Sequence, residues 1–201
     1  MSRFTKKAIV EAFIELLNQR PMDKITVKDI VDRCEINRNT FYYYYQDIYA
    51  LLEEILQDEM EKILEIPASL DSWQDSFMEA IRFALENRRA IFHVYHSNRK
   101  DHLIRYFNQV IGRAMDKFVR EKARGLRVAE DDICVIRDFY QYALSGIILR
   151  WVESGMKEDP AAVVQRLGVL LEGNIRHALE NGAAAPISQP YLFLVSGPGR
   201  P

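Results

Sequence analysis

The chain has 201 residues, 48% of them hydrophobic and 28% charged, with a formal net charge of −2. That length and apolar content fill the core of one domain or two small ones, and the near-neutral charge excludes a chain that binds nucleic acid or membrane through overall basicity. No apolar run approaches the roughly 20 residues that cross a bilayer, since the longest candidate, residues 147–152, contains Arg150.

The pattern is helical from the start. Ile9, Ala12, Phe13, Leu16 and Leu17 share one face of a first helix, and residues 20–23, with Pro21, end it. Thr26 is placed to cap a second helix, with Asp29 three residues on as its capping-box partner. Val27, Ile30, Val31 and Cys34 then recur at i, i+3, i+4 and i+7. Residues 35–37 make a turn, and Asn37 caps a third helix. Asp47 caps a fourth, whose stripe runs through Leu51, Leu52, Ile55 and Leu56 to Ile63 and Leu64. After a break at residues 67–72, further helices are predicted over about 71–87, 88–98, 101–122 and 131–155. Asp159 and Pro160 open a last helix to about Leu179. The Ala-, Pro- and Gly-rich residues 181–201 are expected to be poorly ordered, and their apolar island, residues 191–195, has no assigned role. No strand pattern, repeat or phosphate loop appears, so the expected class is all-α.

Charge is unevenly spread. Residues 1–46 hold eight Lys or Arg against six Asp or Glu, a balance of +2, which leaves −4 for the remainder. Cys34 and Cys134 lie in no CxxC pair, and the charged, helical start lacks the apolar core of a signal peptide. A reducing cytoplasm is expected.

Residues 26–47 carry the most information. Two short amphipathic helices flank a tight turn, as in a helix-turn-helix, whose second helix enters the major groove of DNA. A helix steps by about 100° per residue, so the four tyrosines 42–45 cannot all face the core. Phe41 and Tyr45 share the inner face, and Tyr42, Tyr43 and Tyr44 are turned partly outward. Arg38, Asn39 and Thr40 occupy the helix start that meets base edges. Arg38 suits guanine, Asn39 suits adenine, and the phenols suit phosphates or thymine methyls. Thr26 and Lys28 are placed to meet a phosphate at the preceding helix start.

This stretch resembles the N-terminal domain of TetR-family transcriptional repressors. Thr26, Val27, Asp29, Ile30, Thr40, Phe41, Tyr42 and Leu51 match that family's pattern, and the likeness spans about residues 5–55. Glu35 stands where the family has a turn glycine, Asn37 where it has Ser, Tyr44 and Tyr45 where it has His and Phe, and Ile48 where it commonly has a phosphate-contacting Lys. The resemblance places DNA contacts on Asn37, Arg38, Asn39, Thr40, Tyr42, Tyr43 and Tyr44. It implies a helix-turn-helix domain over residues 1–47 and a helical regulatory and dimerisation body over 48–180. The partners it implies are double-stranded DNA, a second copy of the chain and a small-molecule inducer of unknown identity. The function expected is that of a dimeric repressor on a palindromic operator. The alternative is a coactivator-like module that keeps the fold and acts through a protein partner.

In the body, two stripes suit a four-helix dimer interface. One holds Phe139, Tyr142, Ala143, Gly146, Ile147 and Arg150. The other holds Val164, Leu167, Leu171 and Ile175, with Val163 and Leu170 beside them. Either could instead pack inside one subunit, since a stripe does not name its partner. His93, His96 and His102 invite a metal reading but have no Cys or carboxylate to complete a set; surface or pocket lining is the alternative. Trp73, Phe77, Phe92, Tyr95, Phe107, Tyr140 and Trp151 suit either an aromatic ligand cavity or plain core. No catalytic constellation and no cofactor site is found, so the chain is not read as an enzyme.

Overall fold

A computed structural model describes residues 2–65, 73–171 and 173–184. These residues form α1 (Ser2–Gln19), a 3-10 turn (Met22–Lys24), α2 (Val27–Arg33), α3 (Arg38–Tyr44), α4 (Ile48–Glu65) and α5 (Trp73–Glu86). They continue through α6 (Arg88–Tyr95), α7 (Lys100–Ala123), α8 (Glu130–Glu153), α9 (Pro160–Leu170) and α10 (Asn174–Ala184). The all-α class holds, with no strand among the described residues.

The first helix buries the face expected of it: Ile9 and Phe13 are fully enclosed, and Ala12, Leu16 and Leu17 nearly so. The break after Gln19 is itself structured, since the 3-10 turn drives Met22 into the core. From there a continuous apolar core runs through Ile30, Phe41, Leu51 and Met60 into the body at Ile91, Phe107 and Ile148. The α4 stripe therefore serves both ends of the molecule.

The long helices α7 and α8 run antiparallel, with Gly112 beside Gln141 and Val119 packed in one cluster with Ile133. That smaller cluster, with Ala123, Ile175 and Leu179, is where α10 docks.

Three boundaries differ from expectation. α6 stops at Tyr95 because Ser97 turns back on Val94, its Oγ donating to the Val94 carbonyl at 2.7 Å. α8 stops at Glu153, and the chain reverses through two left-handed residues, Gly155 at φ +82° and Met156 at +55°. The single helix expected from Pro160 to Leu179 is two helices, parted at Gly173, whose φ of +75° lies in the left-handed region that glycine enters without strain. Its second part continues to Ala184, past the point where order was expected to end. The break at residues 67–72, the side chain of Trp73 and the island at 191–195 lie outside the described residues.

Candidate nucleic-acid interface

Local hydrogen bonds set the frame of α2 and α3. The Thr26 hydroxyl accepts from the Asp29 amide at 3.3 Å, and the Asp29 carboxylate accepts from the Thr26 amide at 2.8 Å, so the capping box is complete. The Thr26 hydroxyl also donates to that carboxylate, and Arg20 pairs with it at 2.8 Å. Hydrogen bonds from Thr26, then the Arg20 guanidinium, pull the Asp29 carboxyl down to about 2. Asn37 caps α3 by accepting from the Thr40 amide at 2.8 Å, and Asp47 caps α4 through the amides of Tyr49 and Ala50.

Between the two helices, Glu35 sits at φ +54°. The turn is thus made in the left-handed region with a side chain present, where such a residue carries roughly 1–2 kcal/mol of strain.

The aromatic run of α3 divides between core and surface. Phe41 is fully enclosed, and Tyr45 is buried with its hydroxyl donating to Glu54 at 2.6 Å. Burial, with Glu54 beside it, pushes the Tyr45 phenol far above its ordinary range, so it remains a donor. Tyr43 is 80% exposed and Tyr42 54% exposed. Tyr44 is half-buried against the core, with its ring edge-on to Tyr43 at 5.0 Å. Arg38 and Asn39 stand exposed, with no hydrogen bond or ion pair among the described residues. Thr40 is half-buried and turned to its cap. Lys28 is exposed and pairs with Asp32 at 3.0 Å. The free donors and rings therefore collect on the outer face of α3, while Thr26 and Asn37 use their side-chain oxygens to hold helix starts.

Several long-range contacts fasten α1, α2 and α4 to their neighbours, and the sequence hides them. His93 Nδ1 lies 2.6 Å from the Leu17 carbonyl, which only accepts, so that nitrogen carries the proton. The Asn98 amide donates to Asp23 at 3.2 Å. Tyr49 stacks on His102, whose Nδ1 lies 2.9 Å from Glu53, and Arg99 covers the Tyr49 ring at 4.6 Å. Arg33 on α2 donates to Glu15 at 2.7 Å and to Gln19 at 3.3 Å on α1. His96 Nδ1 lies 2.9 Å from the Phe92 carbonyl, so the three histidines face separate partners, and no group of three His, Cys, Asp or Glu able to hold a metal occurs among the described residues.

The expected dimer residues separate into two kinds. On α8, Phe139 and Tyr142 are 68% and 63% exposed, and Ala143, Gly146 and Arg150 lie beside them on the open face. Ile147, Leu167 and Leu171 are half-buried, whereas Val164 and Ile175 lie inside the subunit's own clusters. Val169 on α9 is exposed as well and lies off the predicted stripe. Phe77, Phe107 and Trp151 are core rather than the lining of an open cavity. No described helix is long and apolar enough to cross a membrane.

Comparison with known proteins agrees with this geometry. A family model described as bacterial regulatory proteins, tetR family, matches residues 9–55, and one described as a transcriptional regulator C-terminal region matches residues 71–173. The chain is similar to the uncharacterized HTH-type transcriptional regulator YxbF of Bacillus subtilis, 25% identical over 85% of this chain and 46% of that protein. It is also similar to the HTH-type dhaKLM operon transcriptional activator DhaS of Lactococcus lactis, 30% identical over 43% of this chain and 46% of that protein. The chain spans about half the length of the curated relatives it matches. Among solved structures, the dihydroxyacetone kinase operon activator DhaS superposes with a TM-score of 0.66 over 90% of this chain and 99% of its own, at 19% identity. NalD of Pseudomonas aeruginosa, a secondary repressor of a multidrug efflux pump, superposes at 0.56 over 89% and 98%, at 18% identity.

Proposed function

The chain belongs to the TetR family of bacterial transcriptional regulators, and from that premise we propose that it is a dimeric repressor whose α3 reads a palindromic operator. One observation carries the reading. Arg38, Asn39, Tyr42 and Tyr43 are held open on a helix whose caps and inner face are otherwise fully engaged. Exposed donors without internal partners, with exposed rings beside them on a short capped helix, suit base edges and phosphates.

A single seven-residue helix contacts too little DNA for tight binding. Two, set about 34–36 Å apart, read two half-sites. The open strip of α8, with Phe139 and Tyr142 flanked by Ala143 and Gly146, supports pairing of two copies: the rings supply apolar area and the small residues let helices approach. Val163, Val169 and Leu170 are a second set of exposed apolar residues, on α9.

Release by a small molecule is part of the same reading. An effector changes DNA binding only if it favours one arrangement of the two α3 helices. The ties between α1, α4 and the body are the contacts such an effector would bias.

Selection from random duplexes tests the whole. Enrichment of a two-fold symmetric site, weakened ten- to a hundred-fold by Arg38→Ala and weakened steeply by salt, is the expected result. Failure to enrich any sequence would overturn it and favour the reading in which the fold acts through a protein partner.

A further inference from the structure

A cleft of about 660 Å³ lies between the end of α1, one face of α6 and the turn after α8. Its volume lies within the roughly 300–1,000 Å³ of ligand sites. The apolar cavity among Leu17, Leu52, Ile55, Ile91 and Leu103, at about 190 Å³, falls below that range.

The cleft is strongly biased in charge. Arg88, Arg89 and Lys157 line it, against one carboxylate, Glu153. Arg88 is already fixed: its guanidinium donates to the Gly155 carbonyl at 3.1 and 2.5 Å, which sets the wall of the cleft. Arg89 and Lys157 are exposed and make no hydrogen bond or ion pair among the described residues. Phe92, 37% exposed, adds an apolar flank. Three cations and one anion leave an excess of two positive charges. A concave site with two free cationic donors and an aromatic wall matches a small dianion with an organic group attached.

We propose that this cleft binds a small organic phosphate monoester. Arg89 and Lys157 hold the phosphate, Phe92 covers the organic group, and Glu153 disfavours larger anionic charge. The site joins the two parts of the molecule. Gln19 lines the cleft and accepts from Arg33 of α2, and His93 lines it while holding the Leu17 carbonyl of α1. Occupation therefore bears on the attachment of the DNA-reading helices. This coupling rests on the regulator reading above; the binding itself does not.

Titration calorimetry of the full chain with inorganic phosphate and with phenyl phosphate, at constant ionic strength, tests the proposal. Both anions are expected to bind, phenyl phosphate more tightly. The double variant Arg89→Gln, Lys157→Gln is expected to lose at least about ten-fold in affinity without a change in melting temperature. Glu153→Gln is expected to bind several-fold more tightly, and Phe92→Ala to lose the preference for the aryl ester. Equal affinity in the wild type and the double variant overturns the assignment, as does a matching loss in Arg38→Ala, which would place the anion on α3. Absence of binding up to about 10 mM also overturns it. Normal phosphate titration in a chain that selects no DNA would leave the cleft standing and remove the regulator reading; operator binding without phosphate binding would do the reverse.

Discussion

Both α3 and α8 carry aromatic rings out of the fold, but the exposed residues beside those rings differ in kind. On α3, Tyr42 and Tyr43 follow Arg38 and Asn39, so the open face holds donors among its rings. On α8, Phe139 and Tyr142 precede Ala143 and Gly146, with Arg150 a turn beyond, so the open face holds gaps next to its rings and a cation at the far end. Donors suit an anionic, hydrogen-bonding partner, and gaps suit another helix at close range. Exposure alone does not distinguish the two surfaces; the neighbours of the exposed ring do.

Four substitutions break or sharpen that contrast. Phe41→Ala leaves every outward residue of α3 in place and removes its anchor, and about 3–5 kcal/mol of stability should go with it. A denaturant melt with a loss below about 1 kcal/mol would mean that the caps, not the buried ring, hold α3. In the proposed dimer, Tyr142→Arg would set like charges against each other across the two-fold axis and should weaken self-association by at least about 2 kcal/mol, read by sedimentation. An unchanged assembly would remove α8 from the interface.

Asp29→Asn weakens the capping box and should cost about 1 kcal/mol. The pH profile gives this prediction its sign. The Asp29 carboxyl titrates at about 2 in the fold against 3.8 ordinarily. Its contribution is complete above pH 4 or so and is lost as the pH falls toward 2. Melting temperatures across that window should fall less steeply in the variant, and parallel curves would show that the box is not coupled to folding. The smallest effect expected is a gain. Glu35→Gly relieves the left-handed turn but loosens the unfolded chain, leaving a net stabilisation of about 0.5 kcal/mol. A loss of stability on the same melt would show that Glu35 is held by more than its backbone.

How far the sequence could be read follows the range of each interaction. Thr26–Asp29 and Asn37–Thr40 lie three residues apart, and their caps are spelled out in the chain. The partition of Phe41 and Tyr45 from Tyr42 and Tyr43 follows from helical pitch, and only Tyr44 needed the packing of neighbours to place it. His93 and Leu17 lie 76 residues apart, and nothing local marks that contact. The stripe from Val164 to Ile175 was periodic yet misleading in form. Gly173 divides it, so Val164 joins the main core and Ile175 the smaller cluster under α10. Periodicity survives a break that only a backbone angle reveals.

The hydrogen bond from His93 to the Leu17 carbonyl also closes one end of α1 against α6. Near the other end Lys6 pairs with Glu54 of α4 at 2.7 Å, and Ile9 and Phe13 are enclosed between the two ends. Because Arg33 fastens α2 to Glu15 and Gln19, the reading unit is mounted on a helix held along its length. A shift of α4 or α6 would then reach α3 by carrying α1 with it.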